Sequence, residues 1–76
     1  MKKAIASNKY VDLITWLKEA REKQNLTMRD VAELINKPHQ FINKIESGER
    51  KLDVYEFVQY CKALELDPVD GINLLK

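Results

Sequence analysis

Apolar residues recur along this chain at spacings of three and four, and nowhere in the strict alternation of a half-buried strand. Tyr10, Leu13, Ile14, Leu17 and Ala20 form one such stripe, which predicts a helix over 8–24, opening at Ser7 or Asn8. Asn25 is placed to stop it, since asparagine tolerates a left-handed backbone. Thr27 and Asp30 have the spacing of a capping box and predict a short second helix over 28–35, with Asn36 as another left-handed stop. Pro38 lacks the N–H that a helix start leaves unpaired, so a third helix is read over 39–46, closed by Gly48. Asp53 and Glu56 repeat the capping spacing ahead of a fourth helix over 54–64, with Phe57, Val58, Cys61 and Leu64 inward. Asp67 followed by Pro68 opens a fifth over 68–75. Gly71 inside it lowers helix propensity by about 1 kcal/mol relative to alanine, so this last element is expected to lean on a partner for order. With no repeat or linker, residues 1–76 read as one all-α domain of five helices.

Seventy-six residues stand at the lower edge of what one core supports without staples. Cys61 is alone, which excludes an intramolecular disulfide and a thiolate metal cluster, and is read as a small core residue. His39 is the only histidine, so no metal site and no cofactor are expected. No nucleophile, base and orienting group come together, which argues against an enzyme. The opening MKKAIASNK is basic but lacks the apolar run of a signal peptide, and no stretch approaches ~18 apolar residues. A cytoplasmic location without membrane contact is the expectation.

Net charge is only +1, but it is unevenly spread. The chain carries +3 through Asn25, −1 from Leu26 to Asn36, +2 from Lys37 to Lys51 and −3 from Leu52 onward. A dipolar layout of this kind favours one face toward a polyanion.

The most informative stretch is TMRDVAELI and PHQFINKIES, separated only by Asn36 and Lys37. So short a turn forces two helices to cross steeply, and Ala32 is the small residue placed at the crossing. Ile42 and Ile45 then face inward. His39, Gln40, Phe41, Asn43 and Lys44 are assigned to the outer face, and their chemistry suits base edges, phosphates and thymine methyls. Trp16 and Leu34 fall off the apolar stripes of their helices.

On these residues, LTMRDVAELINKPHQFINKIESG (Leu26 to Gly48) resembles the helix-turn-helix of the phage-repressor (Cro/cI, XRE-type) family of DNA-binding proteins. The likeness needs no gap over these positions, and it extends to Arg21 before them and through KALELDP after them. It implies a compact five-helix lambda-repressor-like domain, bound to double-stranded DNA as a homodimer with the third helix in the major groove. Positions matching the family's base contacts are His39, Gln40, Phe41, Asn43 and Lys44, and an ion pair between Arg21 and Glu46 is implied. Three departures stand out: Met28 replaces a phosphate-clamping glutamine, Asn25 and Asn36 replace glycines, and Pro38 replaces a serine or threonine cap.

The expected function is a sequence-specific transcriptional regulator, a repressor on a pseudo-palindromic operator. Gln40 and Asn43 are the leading base readers, while Arg29, Lys37, Arg50, Lys51 and Lys44 are assigned to phosphates. Val69, Ile72, Leu74 and Leu75, with Tyr55 or Tyr60 nearby, are the expected dimer contact. The competing reading is a protein-interaction module on the same scaffold, such as an antitoxin whose tail covers a protein partner. A restriction–modification controller is a special case of the first.

Overall fold

In a computed structural model of the chain, residues 8–76 are described; Ser7 and the basic opening lie outside them. The described residues form five helices and no strand: α1 (Asn8–Lys23), α2 (Met28–Leu34), α3 (His39–Ser47), α4 (Val54–Ala63) and α5 (Pro68–Leu74). Against the sequence expectation, α3 runs one residue further and the other four stop one residue earlier.

Local chemistry accounts for these limits. Thr27 Oγ1 accepts the Asp30 N–H (3.0 Å) while Asp30 Oδ2 accepts the Thr27 N–H (2.8 Å). Asp53 and Glu56 close the same reciprocal box ahead of α4, at 2.7 and 3.0 Å. Asp67 caps α5 by accepting the Val69 N–H at 2.9 Å, with Pro68 in the first turn. Three helices end by one device, a residue at φ near +58° followed by an N–H that returns to the helix. After Asn25, the Leu26 N–H reaches Arg21 O (3.1 Å). After Asn36, the Lys37 N–H reaches Ala32 O (2.9 Å). After Glu65, the Leu66 N–H reaches Cys61 O (2.8 Å). Gly48 ends α3 at φ 84°, a backbone that favours glycine.

One core joins the first four helices. Leu13, Ile14 and Leu17 of α1 meet Val31 and Ala32, then Phe41, Ile42 and Ile45, and finally Phe57, Tyr60, Cys61 and Leu64. Burial of Cys61 pushes its thiol pKa up to about 11, so the group is an inert packing residue at neutral pH. Tyr60, placed beside the dimer surface by sequence, is instead wholly buried. Tyr55, five residues earlier on α4, points away and is 72% exposed. The Tyr60 hydroxyl has no hydrogen-bond partner among the described residues. Burial first, and the Glu46 carboxylate second, raise its pKa above the ordinary phenol value.

α5 packs against α1 and α4, and Gly71 is buried at that contact. A Cβ on residue 71 would lie 2.7 Å from Trp16 Cζ3 and 2.8 Å from Phe57 Cζ. The glycine therefore permits close docking, and its lost helix propensity is offset by packing. Trp16 is half-buried against this core, and only Leu34 of the two off-stripe residues stands out into solvent.

Candidate nucleic-acid interface

The second and third helices meet through the turn Ile35–Pro38, and Ala32 is buried where they pack. Pro38 stands at the N-cap of α3 with φ −67° and ψ 153°, and no side chain closes that end. Its carbonyl accepts the Phe41 N–H at 2.9 Å. The open positive end of α3 is thus left to solvent or to an anion.

Along α3 the exposed side chains are Gln40, Asn43, Lys44 and, in the last turn, Ser47, with His39 half-buried at the start. Phe41 does not join them. It is buried in the core with Ile42 and Ile45, so its assignment to base contact is corrected. Helix geometry gives the reason: residues four apart on an α-helix differ by only about 40° in direction, so Phe41 shares the face of Ile45. Residues 40, 43 and 44 cluster by the same rule on the other side.

The rim of Phe41 carries two cations. Lys37 Nζ lies 5.3 Å and Arg50 Cζ 4.9 Å from the ring centroid, within cation–π range. Arg50 is also held end-on by Glu56, with Nη1 donating to Oε1 at 2.8 Å and Nη2 to Oε2 at 2.9 Å. A second Nη1 bond reaches Lys51 O at 3.2 Å. This bidentate pair holds the Glu56 carboxyl below its usual pKa, with the Asp53 N–H adding to the effect. Sequence treated Arg50 as a free phosphate contact; it is a restrained, part-neutralised cation. Glu56 was read only as a capping residue, and two long side chains six residues apart across a loop leave no periodic signal that would pair them.

The other assigned cations differ in setting. Arg29 and Lys37 are exposed at the start of α2 and just before α3. Lys51 Nζ sits 5.6 Å over the Tyr10 ring, whose hydroxyl accepts the Leu52 N–H at 3.3 Å. Met28 is half-buried against the core, so its side chain serves packing where the family's glutamine would clamp a phosphate.

Arg21 ties this assembly to α1. Its Nε donates to Glu46 Oε2 at 2.7 Å and its Nη2 to Oε1 at 3.1 Å, while Nη1 donates to Leu26 O at 2.8 Å. The two side chains are only 10% and 4% exposed, and the Glu46 bond is the chief cause of a raised Arg21 pKa. One guanidinium thereby fixes the end of α3 and the turn that leads into α2.

Away from this face, Val69, Ile72, Leu74 and Leu75 are all exposed, as are Val54 and Tyr55. Ile72 and Leu75 help line an apolar groove of about 280 Å³ with Tyr10, Leu13, Leu52, Val54 and Phe57. Among the described residues no group of three His, Cys, Asp or Glu is arranged to hold a metal ion. No described helix is long and apolar enough to cross a membrane.

A five-helix domain that presents the second member of a tight helix pair, with amide and lysine side chains outward, defines a helix-turn-helix DNA-binding fold. A helix-turn-helix family model matches residues 17–70. Among solved structures, the chain is similar to an XRE-family-like protein from Pseudomonas syringae pv. tomato str. DC3000. That match has 33% identity and a TM-score of 0.82 over 87% of this chain and 80% of the other. A search of curated protein sequences finds no match. The chain belongs to the XRE-type helix-turn-helix family of DNA-binding transcriptional regulators.

Proposed function

We propose that the chain is a sequence-specific repressor that binds a pseudo-palindromic operator as a homodimer, with α3 in the major groove. The observation that carries this reading is the outer face of α3, where Gln40, Asn43 and Lys44 are exposed beside a helix end that no side chain caps. Gln40 and Asn43 each offer a donor and an acceptor in the pattern that adenine presents in the major groove. Lys44, Arg29, Lys37 and Lys51 serve phosphates, which set position and affinity. His39, half-buried at the helix start, borders the bases or the backbone.

The dimer forms through α5, using Val69, Ile72, Leu74 and Leu75. Val54 and the adjoining apolar groove extend the same surface. Two-fold pairing through this face sets two copies of α3 about 34 Å apart, one turn of duplex. The antitoxin reading draws on the same exposed apolar residues. A dyad operator requires a second copy of this chain there, and a stable hetero-complex on purification would favour the antitoxin instead.

Two variants test the division of labour on a selected operator. Gln40→Ala is expected to lower discrimination at one base pair by about 1–3 kcal/mol and leave nonspecific affinity nearly unchanged. Arg29→Ala is expected to weaken every duplex alike and flatten the plot of log affinity against log salt by about one. Equal behaviour of the two variants in a salt-titrated binding assay would remove the distinction between reading and positioning.

A further inference from the structure

Arg50 stands beside the entrance to α3, and three contacts fix its guanidinium. Phe41 lies under it at 4.9 Å, Glu56 holds its end-on edge at 2.8 and 2.9 Å, and Lys51 O takes the remaining Nη1 proton at 3.2 Å. One two-donor edge is left over, Nε–H with the second Nη2–H, and it makes no hydrogen bond among the described residues. The Arg50 side chain is 43% exposed, whereas that of Glu56 is 9% exposed, so the cation faces solvent and the carboxylate lies behind it. Lys37 Nζ lies over the same ring at 5.3 Å.

An unrestrained arginine at such a rim would swing to whichever phosphate came near, adding affinity for every duplex and specificity for none. The pair with Glu56 removes that freedom and most of the net charge. What remains is a planar edge in one fixed place, which can accept a phosphate only when the duplex is docked in one register.

We propose that Glu56 is a specificity-setting positioning residue. By clasping Arg50 it suppresses nonspecific phosphate binding and restricts Arg50 to the phosphate of a correctly docked operator. The inference rests on the DNA-binding reading above. It concerns the ratio of specific to nonspecific binding, and not the presence of binding.

Glu56→Gln is the direct test, because a glutamine at this capping position still has an oxygen for the Asp53 N–H but loses the charge that holds Arg50. Binding of the full chain to a selected operator and to a scrambled duplex is measured across salt. For the scrambled duplex, Glu56→Gln is expected to steepen the salt slope by about one, so that affinity falls about threefold to fourfold more between 50 and 200 mM salt than for wild type. The ratio of operator to scrambled affinity is expected to fall. In the double variant Arg50→Gln/Glu56→Gln the added slope is expected to vanish, since no freed arginine remains. A role confined to stability would lower affinity for both duplexes together and leave the slope alone. An unchanged or shallower slope in Glu56→Gln, with wild type binding normally, overturns this inference by itself. A wild-type chain that binds neither duplex overturns the DNA-binding reading, and this inference with it.

Discussion

Replacing Glu46 with alanine is expected to lower the unfolding free energy by about 3–5 kcal/mol, the cost of leaving a buried charge without its partner. The Arg21 side chain is 10% exposed and cannot rehydrate where it lies. It donates to both Glu46 oxygens, and its third bond, to Leu26 O, anchors the turn between α1 and α2. Loss of the carboxylate therefore loosens α3 against α1 and disturbs the entry to α2 as well. Glu46→Gln keeps an acceptor without the charge and is expected to lose less. Replacing both partners by apolar residues of similar volume is expected to recover much of the loss, because no unpaired charge is then buried. Denaturant unfolding of the three variants makes the comparison. A cost below about 1 kcal/mol for Glu46→Ala would mean that the pair behaves as an exposed one.

Gly71→Val is expected to destabilise the chain by about 3 kcal/mol, the upper part of the range for overpacked cores. A Cβ alone would approach Trp16 Cζ3 to 2.7 Å, Phe57 Cζ to 2.8 Å and Leu13 Cδ1 to 3.1 Å. Three side chains from two helices would have to shift together, and the gain in helix propensity over glycine is well under 1 kcal/mol for a β-branched residue. The least costly response is for α5 to undock, so amide exchange in residues 68–74 should accelerate more than in α2 and α3. Because the proposed dimer face lies on α5, operator affinity should also become more dependent on protein concentration. A variant that melts like wild type and keeps slow exchange in α5 would show that Trp16 and Phe57 yield without cost.

Much of this molecule could be read from short-range patterns, and the exceptions share a cause. Capping boxes at Thr27–Asp30 and Asp53–Glu56, and left-handed stops at Asn25 and Asn36, act within a few residues and were visible in the sequence. Glu65 ends α4 in the same left-handed backbone, yet glutamate carries no preference for it, so only the chain around it fixes that conformation. Trp16 fell off the stripe of α1 because its partner, Gly71, arrives from a helix about fifty residues later. Arg50 and Glu56 meet through side-chain reach, which helical spacing does not encode. Phe41 is different. Its direction followed from helical geometry, and grouping it with Gln40 and Asn43 by chemical suitability for DNA concealed that it shares a face with Ile45. At the candidate interface, then, local rules indicated which helix is presented, while the partners of Phe41 and Arg50 required the folded chain.

The most direct test of the central claim is selection of bound duplexes from a random pool by the full chain, at about 0.15 M salt so that screening is physiological. The result expected is enrichment of one short motif present twice in dyad relation, with half-site centres about one helical turn apart. Recovery of sequences no different from the input pool would contradict the claim that the outer face of α3 reads DNA.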